Sequence, residues 1–427
     1  MESFFKKFFF RSNNLDFISQ NIKNLTKNKS VYKIFEAINS YSPQSEIRYV
    51  GGCIRKILNN EEIDDIDLAT NLEPKQVCET LRKNKINYYE SGIEHGTITA
   101  LIDGQKFEIT SLRKDIFTDG RHAKVKFSKD WKEDALRRDF TINSIYSDGD
   151  GNLFDPNNGK KDLENGFVNF IGDPDKRIKE DYLRILRYLR FFLNYSKKPH
   201  KLEIIKSLKM NIDGISKLSK ERFLDELKKI IKLNTLKNLS KDKTSLELFQ
   251  IIFPELKNVE IFSKFDSRLK DFLKDDDFIF LISLMAIDET DNVDYFLYKF
   301  NFSKKDQKRI KLIHNFYKEK VNSKKISLNS INKVFYYHGK QAVIDILRYK
   351  IIKSKKIDKS LLELIKKYET KARPIMPISA GILMKKYKIP EGEQLGKKLK
   401  IIEEEWVKNG FKISEQIIDS IVRAKYI

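Results

Sequence analysis

The fold is decided between Ile47 and Thr70, a stretch that opens Ile47-Arg48-Tyr49-Val50-Gly51-Gly52-Cys53-Ile54-Arg55 and closes Asp64-Asp65-Ile66-Asp67-Leu68-Ala69-Thr70. Ile47–Val50 and Ile66-Asp67-Leu68 read as short strands, rich in β-branched and aromatic residues. Between them, Gly51-Gly52 leads into a helical pattern. Two residues without Cβ let the backbone approach a ligand closely, and a helix start offers free N–H groups. Alone, the same pair is also an ordinary tight turn. In an extended chain residues i and i+2 share a face, so Asp65 and Asp67 project together, away from Ile66. Two such carboxylates repel unless a cation sits between them, and Mg²⁺ takes oxygen ligands of this kind together with phosphate oxygens. A solvated acidic turn is the other reading of an isolated Asp-x-Asp.

Downstream, Thr97–Ile102 and Lys106–Thr110 flank Asp103-Gly104, the signal of a β-hairpin. Glu108 sits between Phe107 and Ile109 in the second run, so it lies either on a solvated face or beside a metal site. Arg137-Arg138-Asp139 follows, ahead of the apolar Phe140. Its guanidiniums match phosphate oxygens in bidentate fashion, although a surface ion-pair cluster would look the same. Further on, Glu180-Asp181-Tyr182-Leu183-Arg184-Ile185-Leu186-Arg187-Tyr188-Leu189-Arg190 carries polar residues at every third position of an apolar run. On one continuous helix, Asp181, Arg184 and Arg187 would span an arc of about 120°. An Asp acceptor beside an Arg donor complements the edge of a nucleobase, and an i, i+3 ion pair is the plainer alternative.

The surrounding chain bounds these readings. Its 427 residues predict several domains, and a 40% hydrophobic, 12% aromatic composition excludes global disorder. Cys53 and Cys78 are its only cysteines, which excludes a disulfide framework and fits a cytosolic compartment. Apolar runs such as Phe278–Ile282 fall far short of the ~20 residues of a membrane span. The net charge of +22 points to a polyanionic partner, foremost nucleic acid, although a Lys-heavy compositional bias would give the same excess. Met1–Arg11 reads as a surface helix docked by its Phe face, because Lys6 and Lys7 interrupt the apolar run a signal sequence needs; a transit peptide is the alternative reading. Most glycines precede residue 175, and long Leu/Ile/Lys helical stretches follow Ile178.

Taken in order, the segments containing Val50–Arg55, Asp64–Thr70, Glu133–Tyr146, Gly151–Gly166, Ile171–Pro174 and Glu180–Phe191 resemble the class II tRNA nucleotidyltransferases (CCA-adding enzymes), with bacterial poly(A) polymerase as their close relative. Looser likeness follows at Lys220-Glu221-Arg222, Glu226-Leu227, Pro377–Gly381 and Trp406. The resemblance implies an α+β chain: a polymerase-β-like nucleotidyltransferase head followed by an all-helical neck, body and tail. We place an N-terminal extension at 1–28, the head at 29–163, a neck that recognises the base at 164–235, the body at 236–370 and an RNA-binding tail at 371–427.

The same resemblance implies roles. Asp65 and Asp67 would hold two Mg²⁺ ions, with Glu108 as a third carboxylate. Gly51, Gly52 and Arg55 would contact the triphosphate; Arg137, Arg138 and Asp139 the ribose and phosphate. Asp181 and Arg184 would read the incoming base, and Arg187 and Arg190 would reach phosphates. Asp155–Gly159 would form a hinge, and Lys114–His122 a loop used when specificity switches from CTP to ATP. Lys56 stands where the family usually has Asp, and no histidine precedes an aspartate, so no metal-dependent phosphohydrolase domain is expected. The implied reaction is template-independent addition of CCA to a tRNA 3′ end from CTP and ATP, with release of pyrophosphate. The alternatives are a poly(A) polymerase or a non-catalytic RNA-binding relative.

Overall fold

The computed structural model describes residues 15–118, 123–263, 277–288, 290–318, 326–354 and 358–424. The expected Met1–Arg11 helix and the 119–122 tip of the Lys114–His122 loop lie outside them. The chain divides into two units, residues 1–230 with 241–252, and 231–240 with 253–427.

In the first unit, period-2 alternation builds a seven-stranded mixed sheet. Its strands are β1 (Ile47–Val50), β2 (Asp67–Thr70), β3 (Asn87–Gly92), β4 (Thr97–Ile102), β5 (Gln105–Ser111), β8 (Tyr146–Ser147) and β9 (Leu153–Phe154), while β6 (Arg113–Thr118) and β7 (Ala123–Phe127) form a separate ribbon. The order is β3-β4-β5-β2-β1-β8-β9. β2 and β5 run parallel, which registers Asp67 with Glu108; the other named pairs are antiparallel. The expected hairpin is β4–β5, and its two-residue turn puts Asp103 and Gly104 at φ 51° and 76°. Both positive angles match the right-handed twist of the arms. β2 begins one residue later than the sequence suggests, with Ile66 buried in the core just ahead of the strand.

Inward-facing Leu68, Ile98, Ala100, Phe107 and Ile109 pack one sheet face onto helices α1 (Leu15–Thr26), α2 (Lys29–Asn39), α3 (Gly52–Leu58) and α4 (Pro74–Lys83). Ile18 and Ile22 of α1, which precedes the expected start of the head, share this core. On the other face Val50, Ala69 and Leu112 pack against Trp131 and Ala135 of α5 (Trp131–Arg137). After α6 (Gly159–Asn165) come α7 (Pro174–Glu180), α8 (Leu183–Tyr195), α9 (Leu202–Met210) and α10 (Lys220–Ile230).

Among the described residues, the regular elements of the second unit are all helical. One core gathers Phe316, Phe335, Leu347, Ile365 and Tyr368, and a second gathers Leu383, Leu395, Ile402 and Ile418 near the C-terminus. Arg309 braces the first by donating to Asp277 (2.7 and 2.8 Å) and to Asp345 (2.7 and 2.9 Å). A cavity of about 560 Å³ opens beside the Lys304–Lys318 helix, lined by Lys304, Lys308, Lys311, Asn315, Phe316 and His338, among others, with no carboxylate among the described residues of its wall. Among the described residues no helix is long and apolar enough to cross a membrane.

Candidate active site

The Gly51-Gly52 turn lies directly against the carboxylate strand. Gly51 holds φ +70°, ψ −118°, a conformation that side-chain-bearing residues avoid. A Cβ there would stand 3.6 Å from Arg138 Nη1 and 4.0 Å from Asp67 Oδ2; at Gly52 it would stand 3.8 Å from the same Asp67 oxygen and 3.9 Å from Arg55 Nη2. Gly51, Gly52, Arg55, Asp67 and Arg138, spread over almost ninety positions of sequence, therefore meet at one spot. Ile66 is buried, Asp65 is exposed and Asp67 half-buried, so the alternation expected of Asp65-Ile66-Asp67 is present. Glu108 is exposed beside Asp67, on the face opposite Phe107 and Ile109.

Burial raises the Asp67 pKa above the usual carboxylate range, and Glu108 and Asp65 raise it further against the pull of Arg138 and Arg55. Asp67 is thus a carboxylate whose neighbours favour an added positive charge. Among the described residues no three His, Cys, Asp or Glu side chains stand close enough to hold a metal between them. Asp65 and Glu108 both act electrostatically on Asp67 without closing a three-carboxylate group.

Lys56, the departure from the family pattern, forms an ion pair with Asp64, the first carboxylate of the acidic run. Its charge is taken up inside the motif, between α3 and the segment that carries Asp65.

The tripeptide Arg137-Arg138-Asp139 is held by residues that sequence reasoning passed over. Asp134 accepts from Arg137 Nε (2.7 Å), from Arg138 Nε and Nη2 (3.3 and 3.2 Å), and from the Tyr146 hydroxyl (2.6 Å). Burial would lift the pKa of this carboxyl, yet Arg138, Arg137 and Tyr146 bring it down to about 2. The i+3 and i+4 spacing of the two arginines from Asp134 was the signal that could have found it. Asp139 is also buried; it accepts from Arg187 Nε (2.6 Å), Asn143 Nδ2 (3.0 Å) and the Phe140 N–H (2.8 Å). These contacts outweigh desolvation and hold it well below the ordinary carboxylate range.

Asp181 and Arg184 do not share one helix. The chain breaks at Asp181 (φ −155°, ψ 105°), which ends α7, and α8 starts at Leu183. The Asp181 carboxylate accepts the Leu183 N–H (3.1 Å), a local bond that competes with the helical ladder and fixes the break. The expected 120° arc is therefore replaced by a corner. The other oxygen of Asp181 accepts from Arg222 Nη2 on α10 (2.8 Å). Arg184, also buried, donates to Glu180 Oε2 (2.7 Å) and to the Arg177 carbonyl (2.8 Å).

Arg187 and Arg190 are paired inward, with Asp139 and with the buried Glu226. Arg55 donates to Asn143 and stands over the rings of Phe191 (4.7 Å) and Tyr195 (5.0 Å). Phe191 thus carries three guanidiniums, those of Arg55, Arg187 (5.4 Å) and Arg190 (4.1 Å). Asp155 caps α6 by accepting the Gly159 and Lys160 N–H groups (2.8 and 2.9 Å).

Residues 47–169 match the family model of the poly A polymerase head domain, and 273–422 that of a putative tRNA nucleotidyltransferase domain 2. The CCA tRNA nucleotidyltransferase 1, mitochondrial, of Homo sapiens is 46% identical over 197 residues, 45% of either chain. The first relatives of this kind are matched over about half of their length. The CCA-adding enzyme of Staphylococcus haemolyticus is 31% identical over 307 residues, covering 71% of this chain and 72% of its own. Among solved structures, the Bacillus stearothermophilus CCA-adding enzyme in complex with CTP superposes with a TM-score of 0.68 over 91% of this chain and 95% of its own, at 20% identity. The fold, a mixed-sheet nucleotidyltransferase head with a helical remainder, is shared with it. By the extent and identity of these matches, the chain belongs to the CCA-adding enzyme family.

Proposed function

We propose that this protein adds CCA to tRNA 3′ ends from CTP and ATP, without a nucleic-acid template and with release of pyrophosphate. The observation that carries the reading is the meeting of the Gly51-Gly52 turn, Asp67, Arg55 and Arg138 at one point. An acidic pair beside guanidiniums, at a turn without side chains, suits a triphosphate delivered with its cation. This acidic pair fits Mg²⁺, which uses one or two carboxylates and completes its shell with phosphate oxygens and water; Asp65 and Asp67 would hold the two ions. When bound, Mg²⁺ supplies Lewis-acid chemistry, lowering the pKa of the RNA 3′-hydroxyl and neutralising the departing pyrophosphate.

The chain's own residues supply the remainder. Arg138, kept charged and oriented by Asp134 and Tyr146, faces the turn where the phosphates would pass. Asp139, held ionised by Arg187 and Asn143, is the acceptor offered to a ribose hydroxyl. Asp181 and Arg184 supply an acceptor and a donor for the base, each steadied by a partner, Arg222 and Glu180. The lysine-lined cavity of the second unit and the +22 charge support an RNA backbone as partner. Two free, buried cysteines suit a cytosolic location.

The test is incubation with tRNA lacking its terminal CCA, Mg²⁺ and labelled nucleotides. Addition of two C and one A, then arrest, is the expected product; Asp65→Ala and Asp67→Ala should abolish it while RNA binding persists. A homopolymeric A tail would replace the reading with poly(A) polymerase, and no product at all would leave a non-catalytic RNA binder.

A further inference from the structure

We infer that Arg177, which has no part in the roles assigned so far, is a positioning residue that latches the sugar-and-phosphate motif to the base-reading residues and so sets nucleotide discrimination. The inference rests on the proposed transferase reaction. Arg177 Nη2 donates to the carbonyls of both Arg137 and Arg138 (2.5 Å each), across forty residues of sequence. Those carbonyls lie at the C-terminal end of α5, where a helix leaves acceptors unsatisfied and welcomes a cation. Arg177 Nη1 donates to Glu180 Oε2 (2.7 Å), and the same oxygen accepts from Arg184 Nη1 (2.7 Å), which also reaches the Arg177 carbonyl (2.8 Å).

One guanidinium therefore ties the peptide ahead of Asp139 to the corner that carries Asp181 and Arg184. Arg187 grips the Asp139 carboxylate of the same peptide, so the segment 137–139 is held twice, once by its carbonyls and once by its acid. Both terminal nitrogens of Arg177 are already engaged by protein acceptors, Nη1 by Glu180 and Nη2 by the two carbonyls, so its part is to hold these groups in place. Its planar fork can satisfy two carbonyls and a carboxylate together; an ammonium on a flexible stem lacks that fixed geometry. A base-reading pair held off its geometry by about 1 Å loses up to ~100-fold in rate for the correct substrate, and less for one it does not fit.

The experiment measures kcat and KM for CTP, ATP, UTP and GTP in the full chain and in Arg177→Met and Arg177→Lys, with thermal melting followed by Trp131 fluorescence in a Trp406→Phe background. In both variants the ratio of kcat/KM for CTP over UTP should fall about tenfold, through loss of CTP turnover, with the melting transition retained. A parallel fall for all four nucleotides, or a ratio within twofold of the parent, overturns the latch; so does failure of both variants to fold, which would make Arg177 a folding element. A parent protein that incorporates no nucleotide would instead overturn the transferase reading itself.

Discussion

Asp134→Asn should uncouple the arginine pair from the site and leave a signature in pH. Asp134 is almost fully buried beneath Arg137, Arg138 and the Tyr146 hydroxyl, and its pKa is brought from 3.8 to about 2 in the folded protein. At about 1.4 kcal/mol per unit, the depressed pKa corresponds to about 2 kcal/mol of stability. The folded-state value is the lower one, so this contribution is complete above the unfolded pKa and is lost as pH falls through about 2. About half of it should be gone near pH 3. Asparagine keeps the shape and removes the charge, leaving two largely buried guanidiniums without their anion. The total cost near neutral pH should be about 3–5 kcal/mol.

The structure supplies the reporter for the assay. Trp131 lies under the Arg48 guanidinium (4.1 Å) and edge-on to Tyr146 (5.5 Å), while the second tryptophan, Trp406, belongs to the other unit. Urea unfolding of a Trp406→Phe protein therefore follows the first unit alone. The stability difference between parent and Asp134→Asn should shrink by about 1 kcal/mol between pH 6 and pH 3. Activity should fall in step, by about 10- to 100-fold in kcat/KM, because Arg138 loses the acid that aims it at the Gly51 turn. A stability difference that stays flat with pH would refute the charge argument.

Two further outcomes follow from the same architecture. Asp181→Ala and Arg222→Met should both raise misincorporation of UTP and GTP with little change in RNA affinity, since the second releases the carboxylate that the first removes; a loss of specificity confined to one of them would break the pairing seen in the structure. Lys304→Glu with Lys308→Glu should weaken tRNA binding and flatten its log–log salt slope by about 1–2, because each phosphate left without its cation takes away about 0.7–0.9 of slope; an unchanged slope would remove this cavity from the RNA path.

Elements governed by local chemistry were legible in the sequence. Strand β1, the β4–β5 hairpin with its Asp103-Gly104 turn, and the facing of Asp65 and Asp67 all depend on neighbours a few residues away. The helical remainder was legible too, in the spacing of Leu and Ile after Ile178. The corner at Asp181 was missed because every-third-residue polarity imitates a helix face, and one side-chain bond to the Leu183 N–H overrides it. The inward pairing of Arg190 with Glu226, and of Arg187 with Asp139, joins residues dozens of positions apart, which periodicity cannot register. Lys56 shows the converse case. Its sign looks wrong for its position until Asp64, eight residues on, is seen to answer it.

The parallel pairing of β2 with β5 also governs when the site comes into being. Asp67 and Glu108 become neighbours only through that register, whereas β4 and β5 meet through a two-residue turn. Closing a loop of roughly forty residues carries far more entropy loss than closing the hairpin, so the hairpin is the natural nucleus and β2 the later arrival. The mutual repulsion of the two carboxylates is therefore absent from the early, marginal stages of folding. It enters only when β2 joins β5, after the hairpin is in place.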